Sequence, residues 1–122
     1  MEPAPRRASH RFLKTVGGVT HFAEVAMTLL EQPSVPADQV CLGSGLSGVH
    51  KPWLDAAERG ARRAVRGHAR ASQQIVVELV HGTVIDTRPD TVEVAAYCCA
   101  VTLLTGHEAP SPELSNGVWS VK

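Results

Sequence analysis

Behind Pro52, the residues Leu54, Ala57, Ala61, Ala64 and Val65 recur at the i, i+3, i+7 spacing of one helix face, and Gly67 is a fitting stop. On a wheel of about 100° per residue, Arg59, Arg62, Arg63, Arg66 and Arg70 lie nearly opposite that stripe. Such a helix must bury one face and keep the other in water. Proline opens it well, because the N–H it lacks has no partner in the first turn. A chain of 122 residues fits one domain, so the surface that covers the stripe must come from the flanking segments.

Those segments supply strands. Residues 10–16 and 21–30 predict two strands around a Gly17-Gly18 turn, with Ala23, Val25, Met27 and Leu29 sharing one face in the second. Pro33 and Pro36 mark a loop, a short third strand is expected at 39–42, and a flexible Gly43-Ser44-Gly45 follows. Residues 75–80 are a run of β-branched and apolar side chains, closed by His81-Gly82 and continued at 83–85. Asp90 is a candidate N-cap with Glu93 three residues on, and Val92, Ala96, Cys99, Ala100 and Leu103 form the stripe of a second helix ending near Gly106. The order β-β-β-α-β-α predicts an α+β fold: one mixed sheet with two helices on a single face. Residues 1–9 read as a disordered basic arm, 10–106 as the domain, and 107–122 as an irregular tail in which Val118-Trp119 docks.

Aromatic residues make up 4% of the chain against 43% hydrophobic, so the core must be built from Val, Ala and Leu. Formal net charge is zero, so bulk electrostatics will not draw the chain onto nucleic acid or anionic lipid. No stretch reaches the ~20 apolar residues of a membrane span. Cys41, Cys98 and Cys99 make neither an even framework nor a metal spacing, which fits buried thiols in a cytoplasmic protein. His21 and Glu24, three apart on a strand, face opposite ways and cannot share a metal, so neither metal nor cofactor is expected. His81, Asp86 and Glu78 are placed to converge near a hairpin, and with Tyr97 they are the candidates for acid–base chemistry.

Three stretches resemble the fourth domain of elongation factor G and of the tetracycline ribosomal-protection proteins. They are Lys14-Thr15-Val16-Gly17-Gly18-Val19-Thr20-His21-Phe22-Ala23-Glu24-Val25, then Ser47-Gly48-Val49-His50-Lys51-Pro52-Trp53-Leu54 through Gly60, then Ile75-Val76-Val77-Glu78-Leu79-Val80-His81-Gly82 resuming at Asp90-Thr91-Val92-Glu93-Val94-Ala95. The resemblance covers residues 12–104 and implies the fold of the second domain of ribosomal protein S5. It also implies two tip loops that enter the ribosomal decoding region beside tRNA and mRNA. At the first, Val19 stands where the family has arginine and Glu24 where it has histidine. At the second, residues 83–89 run about two longer and carry no histidine, while His81 takes a turn position where the family tends to have Asp. Gripping RNA needs cations near phosphates and groups that stack on or bond to bases, and this tip keeps Lys14, His21 and Arg88.

The chain has no room for a GTPase domain and no phosphate loop, since Gly43-Ser44-Gly45-Leu46-Ser47-Gly48 lacks the lysine such a loop needs. The resemblance therefore implies a non-GTPase domain that binds the ribosome, another RNA or a protein partner. Its contact surface would be Lys14, Gly17, Gly18, His21 and Arg88 with the face of Arg59, Arg62, Arg63 and Arg66. The alternative is a fold repurposed as a small enzyme of isomerase or cyclase type, or as a small-molecule binder, with a pocket lined by His81, Asp86 or Tyr97. A third reading is a structural subunit whose exposed sheet pairs with another copy.

Overall fold

The computed structural model describes residues 5–121. Four strands form a sheet in the order β1-β2-β4-β3: β1 (Arg6–Val16), β2 (Val19–Glu31), β3 (Val40–Leu42) and β4 (Gln73–His81). Between β3 and β4 lies α1 (Lys51–His68), and after β4 comes α2 (Pro89–Thr105). Strands β1, β2 and β4 pair antiparallel, whereas β3 runs parallel to β4. The predicted α+β class and mixed sheet are found. A further hairpin, β5 (Glu113–Ser115) and β6 (Val118–Ser120), closes the chain.

The β1–β2 hairpin turns on Gly17 and Gly18 at φ +58° and +80°, the pair of positive values that a two-residue turn matching strand twist requires. Strand β1 starts at Arg6, inside the stretch expected as an arm, because pairing with β2 continues to Arg6↔Leu29. Residues 1–4 of that expected arm lie outside the described residues. A bulge opposite Ala26 and Met27 inserts one extra residue in β4, since Ala26 pairs with Leu79 and Met27 with Val77. It re-phases β4, so that Ile75, Val77 and then Val80 are buried.

Helix α1 lies over β3 and β4, and α2 over β1 and β2. The two helices meet along a seam of small residues, with Ala56, Ala57, Ala61 and Ala64 facing Ala95, Ala96 and Ala100, all fully buried. At its tightest point a Cβ on Gly60 would stand 2.3 Å from the backbone carbonyl of Glu93. This seam is how a chain poor in aromatics fills its core: the helices come close enough for backbone to meet backbone. Helix α2 is buried on more than the predicted stripe, because the sheet, α1 and the tail hairpin all press on it.

Several boundaries move. Helix α1 runs through Gly67 to His68, whereas α2 ends at Gly106 as predicted, with that glycine in the left-handed conformation. Arg88, not Asp90, holds the N-cap position of α2, with Pro89 opening the helix. The Asp90 carboxylate accepts instead from the backbone N–H of Trp119 at 2.8 Å and from Arg88 at 3.3 Å. Glu93 pairs with Arg59 rather than reaching back to cap. The tail from 107 carries one short hairpin, β5–β6, within otherwise irregular chain, and it buries Trp119 as expected, while Val118 stays exposed.

Candidate binding tip and cleft

The β1–β2 turn, the loop between β4 and α2, and the start of α1 gather at one end of the sheet. The expected continuation of β4 over residues 83–85 does not form. Thr87 folds that segment into a loop instead: its Oγ1 donates to the carbonyl of Phe22 at 2.6 Å and accepts from the N–H of Thr83 at 2.8 Å. The Thr87 N–H reaches the Thr83 carbonyl at 3.0 Å, and the Phe22 N–H reaches the Asp86 carbonyl at 3.0 Å. Asp86 N–H also donates to Thr83 Oγ1 at 3.0 Å. Gly82 is required where the loop leaves β4, since a Cβ there would lie 2.4 Å from Thr87 Oγ1. The loop is stitched to β2, and its apex holds Val84 and Ile85 at 94% and 92% exposure. Val16, Val19 and Leu13 of the neighbouring hairpin are exposed as well.

The tip is therefore apolar where the resemblance implies cations. His21 is 7% exposed and packs edge-on to the Trp119 ring at 5.3 Å, so it is not available at the surface. Arg88 is held by the Gly117 carbonyl and Asp90. Lys14, Gly17 and Gly18 remain exposed.

Three of the five side chains of the arginine face are engaged within the chain, two of them by carboxylates. Arg59 bonds Glu93 at 2.9 Å. Arg62 holds both oxygens of Asp38 at 2.9 and 3.0 Å and also meets Glu58 at 3.0 Å. These hydrogen bonds pull the Asp38 carboxyl down to about 2 and push the Arg62 guanidinium above its usual range. Arg63 lies 4.5 Å over the Tyr97 ring and donates to the Val121 carbonyl. Of the five, only the Arg66 and Arg70 side chains lack such a partner among the described residues.

The candidates for acid–base chemistry fall in separate places. Tyr97 lies beneath Arg63, Asp86 sits in the stitched loop, and Glu78 pairs with Arg7. His81 faces Glu24, with Nδ1 at 3.8 Å from Oε1, and meets the Phe22 ring at 5.7 Å. His81 also borders a cleft of about 550 Å³ with His50, Trp53, Val80, Thr87 and Pro89. His50 and Trp53 stand edge to face there at 5.4 Å. Val49, Trp53, Val80, Val84 and Pro89 give the cleft a mainly apolar wall, with the two imidazoles as its ionisable groups. Sequence reasoning missed His50 and Trp53, although both stand in the quoted motif at the start of the helix. Among the described residues no group of three His, Cys, Asp or Glu side chains is placed to hold a metal, and no helix is long and apolar enough to cross a membrane.

With this geometry in place, comparison with known proteins bears on the fold. No protein family matches the chain, and no curated protein does. A crystal structure of a protein from Thermus thermophilus matches 88% of this chain at a TM-score of 0.67 and 13% identity. That likeness shows the fold. The match spans 16% of the Thermus chain, so the same architecture occurs there as one part of a much longer protein.

Cys98 and Cys99 are buried structural thiols. Burial pushes Cys98 up to about 11 and Cys99 up to about 12, while Cys41 is partly exposed. The thiolate is the reactive form. Titration with a disulfide reagent at pH 8 should therefore label one thiol per folded chain, at Cys41, and three once the chain is unfolded. Two or three fast thiols in the native protein would mean that α2 is not packed as described.

Proposed function

We propose that this is a non-GTPase binding domain, resembling domain IV of elongation factor G, that docks on the ribosome through its tip by mainly apolar contact with a protein surface. The observation that carries this reading is the loop pinned by Thr87, which holds Val84 and Ile85 almost wholly in solvent. Exposed apolar side chains on an ordered loop favour association with little ordering cost. The cations that would grip phosphates are mostly engaged internally: Arg59, Arg62, Arg63 and Arg88 each have partners within the chain. That favours a protein surface over an RNA backbone as the target.

Co-sedimentation with ribosomes across a salt series tests it. Pelleting should saturate, change little with salt, and be lost in Val84→Asp/Ile85→Asp. Steep loss with salt, together with loss in Arg66→Glu/Arg70→Glu, would instead mark a phosphate grip. An absence of pelleting at every salt would sink the ribosomal reading. It would leave the cleft beside Trp53 and His81, whose size and apolar wall support the second reading of a small-molecule binder.

A further inference from the structure

Strand β1 is an edge of the sheet along its full eleven residues, from Arg6 to Val16. Its hairpin closes in two residues, so Val16 and Val19 exchange both hydrogen bonds, and alternate pairs back along the strand do the same. The intervening residues, Ser9, Arg11 and Leu13 among them, therefore direct their backbone N–H and C=O groups away from β2. Among the described residues no backbone group answers them. The chain nearest to this edge is the tail at 108–112, and Pro110 within it has no N–H to offer. Between edge, tail and α2 runs a groove of about 440 Å³, lined by residues 9–14, by Cys98 and Thr102, and by residues 108–112.

We propose that this edge takes up an acidic, extended segment of another protein as a fifth strand of the sheet. Charge selects the occupant. Strand β1 carries Arg6, Arg7, Arg11 and Lys14 and no acid, on a chain whose net charge is zero. All four are exposed; Arg7 already pairs with Glu78, whereas Arg6, Arg11 and Lys14 have no ion-pair partner among the described residues. A second copy pairing β1 to β1 would set these cations against the same four, which opposes self-association. An acidic guest meets them favourably. Alternation then dictates its pattern. Guest side chains on the α2 side meet Cys98, Thr102 and the one acid of the lining, Glu108, beside His10, so they are small or apolar. Those on the opposite face lie toward Arg7 and Arg11 and are acidic.

This inference is independent of the tip. It is tested with a labelled peptide of alternating glutamate and valine, its lysine–valine counterpart as control, and fluorescence anisotropy as the readout. The glutamate peptide should bind at least about tenfold more tightly than the lysine one, with amide-exchange protection appearing at Ser9, Arg11 and Leu13. Ser9→Pro removes an outward N–H while leaving the bonds to β2 in place, and should abolish binding at unchanged Tm. Arg11→Glu/Lys14→Glu brings the strand to two cations and two acids and should erase the preference for the glutamate peptide, which keeps the test decisive should Ser9→Pro disturb the fold. Val84→Asp/Ile85→Asp should bind the peptide normally. Equal uptake of both peptides, no uptake of either, or a dimer in solution that Ser9→Pro dissolves would each overturn the proposal.

Discussion

Gly60→Ala should destabilise the domain by about 3 kcal/mol, and Gly60→Val should leave it largely unfolded at room temperature. A Cβ at this position would stand 2.3 Å from the Glu93 carbonyl and 3.0 Å from both the Ala96 Cβ and the Tyr97 nitrogen. Two of those three atoms are backbone and cannot swing aside, so α1 and α2 must separate and the alanine seam on either side must loosen with them. The loss outweighs the ~1 kcal/mol that alanine gains over glycine as a helix former. For a chain of this size it lowers Tm by roughly 10 °C. Gly67 supplies the control. It lies in the same helix with nothing within 4 Å of its Cβ position, so Gly67→Ala should stabilise by up to about 1 kcal/mol. Urea unfolding followed by circular dichroism reads both. A Gly60→Ala protein as stable as the parent would show that the helices do not touch through their backbones.

The same glycine shows what was legible in the sequence. The helix that holds it could be read, and so could the sheet strands and the stop near Gly106, because each rests on local period or local backbone demand. That Gly60 is the contact point between two helices could not be read, since Glu93 is far along the chain. Distance along the chain also explains the arginine face. Asp55 and Glu58 are its nearest acids in sequence, whereas the partners Asp38 and Glu93 arrive through folding. His21 followed the alternation of its strand, and its burial depends on Trp119 from the far end of the chain. One miss was local. Asn116-Gly117, at φ +52° and +77°, is a two-residue hairpin signature between β5 and β6, and it was readable beforehand. The β-branched run at 83–85 misled in the other direction, because strand propensity there yields to the hydrogen bonds of Thr87.

Trp119→Ala should cost about 3–5 kcal/mol, the usual loss for removing a buried large aromatic. The ring packs edge-on against Phe12 at 4.8 Å and against His21 at 5.3 Å, and its own backbone N–H is fixed by Asp90. It is the side chain through which the tail hairpin seals the helix-side face of β1 and β2. Its indole Nε1 is buried with no hydrogen-bond partner, so part of the packing gain is offset by an unpaired donor. Trp119→Phe keeps the aromatic contact and removes that donor, and should cost only about 1 kcal/mol. The two variants together separate ring packing from the cost of the unpaired donor. Hydrogen exchange should show where the loss lands: in Trp119→Ala the amides of Phe12, His21 and the β5–β6 hairpin should exchange faster together, while those of β3, α1 and β4 keep their order. A uniform rise across the whole chain would mean that the tail is integral to the one cooperative core. A cost under about 1 kcal/mol for the alanine variant would mean that the hairpin does not pack on the sheet at all. In the expected case His21 becomes accessible only when the tail lifts, so the tail hairpin decides whether the tip presents an imidazole beside its apolar surface.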